Sequence, residues 1–138
     1  MLERSRQLAP YVVEASDLTD AGLARLMADS AALVAPSFTE GFGLPVVEPL
    51  AAGAPVLISD IAAHREVGEG YALFADAIDG HAWVGAVEAL MDDASDFRRD
   101  LVAKIAGYKP LTWAEHVARA RSLMEKAATA LPSAAALA

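Results

Sequence analysis

The chain has 138 residues, of which 55% are hydrophobic and 22% charged, which is enough for one domain with a hydrophobic core. Its net charge of −8 argues against a nucleic-acid partner, because phosphate backbones are bound by clustered lysine and arginine. The absence of cysteine excludes disulfides and thiolate metal sites, and no apolar run approaches the ~20 residues of a membrane span.

The first third of the chain predicts two helices and two strands. Residues 2–8 have the pattern of the last turns of a helix, and residues 11–15 contain Tyr-Val-Val, which is typical of a short strand. Thr19 or Asp20 is expected to cap a helix, because apolar side chains then recur at helical spacing. The apolar run 31–35 ends before a proline and predicts a buried strand.

The middle of the chain predicts a loop, a helix and two strands. The loop covers residues 36–42, and the helix runs from about 43 to 52, where Gly53 is a suitable terminator. The run 55–59 is the strongest strand pattern in the chain, and a shorter strand is expected at 71–74.

The remainder of the chain predicts helices. One carries Trp83, the next begins near Ser95 or Asp96, and the last carries Trp113. Alternating strands and helices indicate an α/β fold with a Rossmann-like parallel sheet, formed by a domain over residues 1–130 and followed by a flexible tail at 131–138. Such sheets bind ligands at the carboxyl ends of their strands, which directs attention to the loop after strand 31–35.

That loop leads into a glycine-rich turn that suits phosphate. Gly41 and Gly43 allow the backbone to turn tightly. The amides of Phe42, Gly43 and Leu44 are then expected at the first turn of a helix, where N–H groups have no helical partner and the helix dipole adds partial positive charge. The segment therefore predicts a site for phosphate oxygens.

Two carboxylates flank the same turn. Because they repel phosphate, they are expected to bind a different part of the ligand. Glu40 precedes the helix, and Glu48 lies roughly 7.5 Å along its axis at the usual rise per residue. Ionised carboxylates only accept hydrogen bonds, and sugar hydroxyls are suitable donors. A ligand that carries phosphates between two hydroxyl-bearing rings is a nucleotide-sugar. A simpler interpretation also stands, in which the glycines form an ordinary turn and the glutamate complements the dipole.

The sequence around this turn resembles a known family. The string APSFTEGFGLPVVEPLAAGAPVLISD (35–60), continued by IAAHREV (61–67), resembles the C-terminal half of retaining family-4 glycosyltransferases of GT-B architecture, the glycosyl transferases group 1. A looser similarity extends from about residue 12 to residue 126. The resemblance implies a Rossmann-like domain that binds a nucleotide-sugar donor, and a cytoplasmic enzyme, peripheral at the inner face of the membrane.

The resemblance also implies roles for single residues. Glu40 would hold the hydroxyls of the reacting sugar and is the candidate catalytic residue, while Glu48 would bind the ribose. Gly41 and the amides of the residues from Phe42 to Leu44 would line the sugar and the diphosphate, and Leu18 would pack on the base. Transfer would proceed with retention, without a divalent metal or a cofactor other than the donor.

The departures from the family pattern concern charge and completeness. The first strands of the family's second domain have no counterpart here, nor does the acceptor-binding domain with its catalytic histidine. No lysine or arginine lies between Arg25 and Arg65, so the phosphate charge has no local cation. Ser16 replaces a usual glycine, and Pro49 replaces a commoner alanine. We therefore expect the chain alone to be inactive and to be part of a larger enzyme.

Three alternatives remain open at this point. Paired carboxylates also occur in glycoside hydrolases, although the glycine turn at a helix start favours phosphate. A non-catalytic nucleotide-sugar-binding or interaction module is the second, because an incomplete sheet leaves an edge through which copies of the chain could associate. The third concerns the run 64–66, His-Arg-Glu, which either closes the donor pocket or has a structural role near a helix end.

Overall fold

The computed structural model describes residues 6–130, which divide after Tyr108 into two compact units. The first unit is built on three parallel strands in the order β1-β2-β3, namely β1 at Leu33–Ala35, β2 at Val56–Ser59 and β3 at Leu73–Ala75. Five helices flank or connect them: α1 at Asp20–Asp29, α2 at Leu44–Ala51, α3 at Ala62–Gly68, α4 at Gly80–Met91 and α5 at Asp96–Ile105. The predicted Rossmann-like α/β class is confirmed.

The central strand β2 forms the middle of the core. None of its four side chains is exposed to solvent, and α2 buries Val46 and Leu50 in the same cluster. Leu90 of α4 and two residues of α5 complete it. A strand that is apolar at successive positions needs cover on both faces of the sheet, which is why β2 has helices packed around it. Its carboxyl end, at Ser59, is therefore a fixed point of the fold.

Helices α1, α4 and α5 begin where short polar side chains satisfy their first amides. Thr19 caps α1 by accepting from the Gly22 amide at 3.1 Å, and Ser95 caps α5 by accepting from the Arg98 amide at 3.1 Å. Asp79 caps α4 in the same way. The predicted starts of α1 and α5 are thus confirmed, since capping chemistry can be recognised in the sequence.

Arg98 ties three separate parts of the first unit together. Its guanidinium donates to the carbonyl oxygens of Ala31 at 2.6 Å and Leu90 at 2.7 Å, and it pairs with Asp93 at 2.8 Å. The side chain is only 15% exposed. Ala31 lies just before β1, so this clamp helps to fix the strand that leads into the candidate site.

Three expectations for local structure were wrong or incomplete. The segment 11–15 forms no strand: it joins none of the ladders of the described sheet β1-β2-β3, and an apolar run without a hydrogen-bonded neighbour gains nothing from extending. Residues 6–8 are turns rather than helix, and 2–5 fall outside the described residues. Helix α3 was not predicted, since its cap residue Ile61 supplies no side-chain hydrogen bond.

The second unit contains helix α6 at Trp113–Ala130. It begins with a reciprocal cap: the Glu115 carboxylate accepts from the Thr112 amide at 2.9 Å and from its hydroxyl at 2.8 Å. These bonds, with the backbone donor first, hold the pKa of Glu115 below its usual range. The helix therefore has a well-defined start that depends on its own sequence.

The packing of α3 against α2 gives a direct test of the fold. A Cβ atom at Gly68 would lie 2.9 Å from Val46 Cγ1 and 3.3 Å from Ile58 Cδ1, so Gly68→Ala should lower the free energy of unfolding by about 1–3 kcal/mol. Gly85→Ala in α4 is the matched control, because nothing lies within 4 Å of its Cβ position. That change should raise stability by about 0.5–1 kcal/mol. Urea denaturation of both variants measures the difference, and equal effects would contradict this packing.

Candidate functional site

The candidate site begins in the loop that joins β1 to α2. Ser37 donates its hydroxyl hydrogen to Glu40 Oε1 at 2.7 Å, and both side chains are partly buried. Because the carboxylate is held at the carboxyl end of the sheet, Glu40 is positioned rather than free in solvent. One of its oxygens is used by Ser37, which leaves the other as an acceptor for a ligand hydroxyl.

Gly43 starts α2 under two independent constraints. Its φ of +87° lies in the left-handed region, and its carbonyl oxygen accepts from the amides of Val46 at 2.9 Å and Val47 at 3.2 Å. A Cβ atom there would lie 3.2 Å from Val67 Cγ2 and 3.6 Å from His64 Cδ2, both on α3. The glycine is therefore required both for the turn and for close packing of α3.

The two glycines of the turn face different surroundings. At Gly41 nothing lies within 4 Å of the Cβ position, whereas at Gly43 that space is filled by α3. The open approach to the turn is thus on the Gly41 side. Sequence reasoning assigned both glycines to close approach of a ligand, and the structure offers that space at the first of them.

The first amides of α2 have no acceptor within the protein. In the described part of the chain, the N–H groups of Phe42, Gly43 and Leu44 donate to no protein acceptor. Pro45 follows in the first turn, where it has no N–H to leave unsatisfied. Three unpaired amides at a helix N-terminus form the partial positive charge that attracts an anion.

Glu48 and the residues of α2 that contact α3 lie on different faces of the helix. Its neighbours Val46 and Leu50 point into the core, so the exposed Glu48 side chain lines a groove of about 400 Å³ between α2 and α1. Asp20 and Met27 of α1 line the same groove. An apolar floor with carboxylates at its walls suits a flat ring that carries hydroxyl or amino groups.

The groove between α1 and α2 contains one of the two framing glutamates. Among the described residues that line the groove, Glu48 is present and Glu40 is not. Leu18 lies directly before α1, where its Cδ2 is 3.9 Å from the Cβ position of Gly22, and it is 46% exposed. The predicted site residues therefore form two groups: the loop and turn, and the start of α1 with Glu48.

The cations nearest to the turn in sequence are already paired. Arg65 binds Asp60 through contacts of 2.5 and 2.8 Å, binds Glu69 at 3.0 Å, and lies over the Phe74 ring at 4.8 Å. The hydrogen bond from Arg65 lowers the pKa of Asp60, and Asp60 raises the pKa of Arg65 in turn. On the other side in sequence, Arg25 pairs with Asp29 at 2.6 Å. Both guanidinium groups therefore already hold carboxylates, which partly offset the positive charge that each could offer a phosphate.

His64 has a position that sequence reasoning missed. It is fully buried in α3, and its Nδ1 donates to the Ser59 carbonyl oxygen at 2.8 Å, at the end of β2. The adjacent Arg65 belongs to the exposed ion network, so the run 64–66 does not act as one unit. Burial of a histidine depends on tertiary packing, and no local pattern in the sequence indicates it.

Within the described range, residues 6–130, the protein has no candidate metal centre and no candidate membrane span. No group of three or more histidine or carboxylate side chains within residues 6–130 could hold a metal ion. None of the helices that the structure describes is both long and apolar enough to cross a bilayer.

Comparison with known proteins gives one family. The model of the glycosyl transferases group 1 matches residues 1–93. The O-antigen chain mannosyltransferase RfbU of Salmonella typhimurium is 42% identical over 69 residues, which cover 48% of this chain and 20% of that protein. The O-antigen chain mannosyltransferase B of Escherichia coli is 35% identical over 96 residues, which cover 68% of this chain and 25% of that protein.

A third relative, the serotype-specific mannosyltransferase WbdA of Escherichia coli, is 34% identical over 93 residues, or 67% of this chain and 10% of that protein. No solved structure matches the chain significantly. The chain spans a quarter or less of the length of these relatives. The family model, in contrast, matches 93 of the 138 residues, including the whole turn from Glu40 to Glu48. The chain therefore belongs to the glycosyl transferases group 1 family.

Proposed function

We propose that the chain is the donor-binding part of a glycosyltransferase that moves a sugar from a nucleotide-sugar to an acceptor with retention. The observation that carries this proposal is the row of unpaired amides from Phe42 to Leu44 at the start of α2, flanked by Glu40 and Glu48. A helix start with free N–H groups suits the diphosphate, and acceptor-only carboxylates suit the hydroxyls on either side of it.

The two groups of site residues divide the donor between them. Glu48 accepts from the ribose hydroxyls, and the groove that it shares with α1 takes the base beside Leu18. Glu40, held by Ser37, accepts from the hydroxyls of the reacting sugar. The amides of the turn stabilise the negative charge that grows on the leaving nucleoside diphosphate. Glu40 acts in this scheme by positioning the sugar, not as a nucleophile.

The names of the relatives suggest the sugar. All three relatives reported above are mannosyltransferases, so mannose is the first sugar to test. The acceptor and its binding domain lie in the part of such enzymes that this chain does not cover. We propose that this other domain binds the acceptor and supplies the catalytic histidine, that the missing first strands of the donor-binding domain supply the cations, and that the chain alone does not catalyse transfer.

Substitution of each glutamate should distinguish the two roles. Glu48→Gln should lower the affinity for both the nucleoside diphosphate and the nucleotide-sugar by about 10–100-fold, because both ligands carry the ribose. Glu40→Gln should lower the affinity for the nucleotide-sugar and leave the affinity for the nucleoside diphosphate unchanged. Glu88→Gln, on the exposed face of α4, is the control and should change neither affinity. Equal losses for Glu40→Gln with both ligands, measured by calorimetry, would contradict this division.

The contribution of the absent cations can be measured with two chains. Calorimetry with UDP-, GDP- and ADP-sugars, GDP-mannose among them, should show weak binding to the 138-residue chain. Binding should be much tighter in a chain extended at its N-terminus with the corresponding part of a relative. If the extended chain binds none of these donors, the donor-site proposal is wrong. Tight binding by the short chain would show instead that the missing cations are unnecessary.

A non-catalytic interaction module is favoured by one observation. In the described part of the chain, β1 pairs with β2 along one side only, and Val34 on this strand is 45% exposed. Unpaired strand edges of this kind can join in neighbouring copies. Size-exclusion chromatography tests this alternative. Self-association predicts a dimer or larger species whose fraction rises with protein concentration, and a clean monomer would contradict it.

A further inference from the structure

The side chains that line the groove between α1 and α2 offer hydrogen-bond acceptors and no donor. Of the described residues that line it, Asp20 and Glu48 have polar side chains, and both are carboxylates. An ionised carboxylate has no hydrogen to donate. The other lining side chains are apolar: Leu23, Ala24, Met27, Ala51 and Ala52. A ligand in this groove therefore gains hydrogen bonds from side chains only where it carries donors.

Neither carboxylate of the groove has a partner within the described part of the chain. Asp20 and Glu48 are both exposed, and their side chains take part in no hydrogen bond and no ion pair there. The start of α1 does not need Asp20 as its cap, because Thr19 accepts from the Gly22 amide at 3.1 Å. Asp20 complements the helix dipole from its place in the first turn, and that role uses none of its acceptor capacity.

The position of Asp20 relates it to the base of the proposed donor. Leu18, the residue expected to pack on the base, lies against the first turn of α1, with its Cδ2 3.9 Å from the Cβ position of Gly22. Asp20 is the first residue of that helix. Glu48 lies across the groove on α2 and is assigned to the ribose. The carboxylate that a base beside Leu18 meets is therefore Asp20.

The nucleobases differ in the donors that they present to a carboxylate. Guanine carries two adjacent donors on its base-pairing edge, N1–H and the N2 amino group, and these match the two oxygens of one carboxylate. Uracil carries a single N3–H between two carbonyl oxygens, which a carboxylate repels. Adenine carries one amino group beside N1, which can only accept. A groove whose side chains only accept hydrogen bonds therefore favours guanine.

We propose that Asp20 is a specificity-determining residue, whose carboxylate selects a guanine nucleotide by accepting from N1–H and from the N2 amino group. The proposal rests on the donor-binding function proposed above and names the base of its substrate. The groove volume of about 400 Å³ lies within the range of roughly 300–1,000 Å³ for small-molecule sites. The base is the neutral part of a nucleotide, so it can lie beside two carboxylates that repel its phosphates.

Four nucleoside diphosphates test the selection in the 138-residue chain. GDP, IDP, ADP and UDP share the ribose and the diphosphate, so differences in affinity report the base. Titrations followed by NMR, through the Met27 methyl group in the groove, should give the tightest binding for GDP. IDP lacks only the N2 amino group and should bind about threefold to tenfold more weakly, and ADP and UDP about 10–100-fold more weakly.

Asp20→Asn separates base selection from a role in the helix alone. The change replaces one acceptor oxygen by an amide donor of nearly the same shape, which matches the N1 and amino group of adenine. The preference for GDP over ADP should therefore fall about 10–100-fold. Asp100→Asn removes an equal charge from the exposed surface of α5 and should leave the preference unchanged. An Asp20 that serves only the helix dipole would change the affinity for all four ligands alike.

The outcomes for the two proposals differ. If all four diphosphates bind equally and shift the amides of residues 42–44, the donor site stands and selection by Asp20 is refuted. A preference for GDP that survives Asp20→Asn refutes it as well. If guanosine binds the groove more tightly than inosine, while neither GDP nor pyrophosphate shifts those amides, guanine selection stands and the donor-binding function is refuted. If none of these ligands binds, both proposals fail.

Discussion

The candidate site depends on how closely the start of α2 packs against α3, which only glycine at position 43 allows. A side chain there would strain a backbone at φ +87° and would press against Val67 Cγ2 at 3.2 Å. The contact fixes the turn relative to α3, and through His64 relative to the end of β2. The direction of the turn's amides is therefore set by the core and not by the loop alone.

Strong local signals made much of this fold predictable. Strand β2 is an apolar run between turn residues. Helix α2 has a proline in its first turn and is followed by Gly53, whose φ is +84°. The segment 11–15 has the same local character as a strand but forms none, because a strand exists only with a hydrogen-bonded neighbour. Helix α3 was missed for the converse reason: tertiary packing holds a helix whose sequence shows no cap.

The residues of the site were easier to predict than their arrangement. Spacing places Glu48 just over one helical turn after Gly43, but the face on which it lies follows from the burial of Val46 and Leu50 against the sheet. That burial turns Glu48 toward α1 and into the groove with Asp20. The burial of His64 could not be predicted, because it results from the packing of α3 onto the turn, which no local pattern indicates.

Charge explains why such a site could bind a donor and still not complete the reaction. The helix start contributes the equivalent of about half a positive charge. A departing nucleoside diphosphate carries more negative charge than this partial charge offsets. Within residues 26–64 the sequence has no lysine or arginine, and Arg65 is already paired with two carboxylates. Dipoles can orient a bound diphosphate. Stabilising the negative charge that develops on the diphosphate as it leaves requires full cations. We therefore expect those cations to come from outside this chain, so that donor binding and catalysis are divided between two parts of the enzyme.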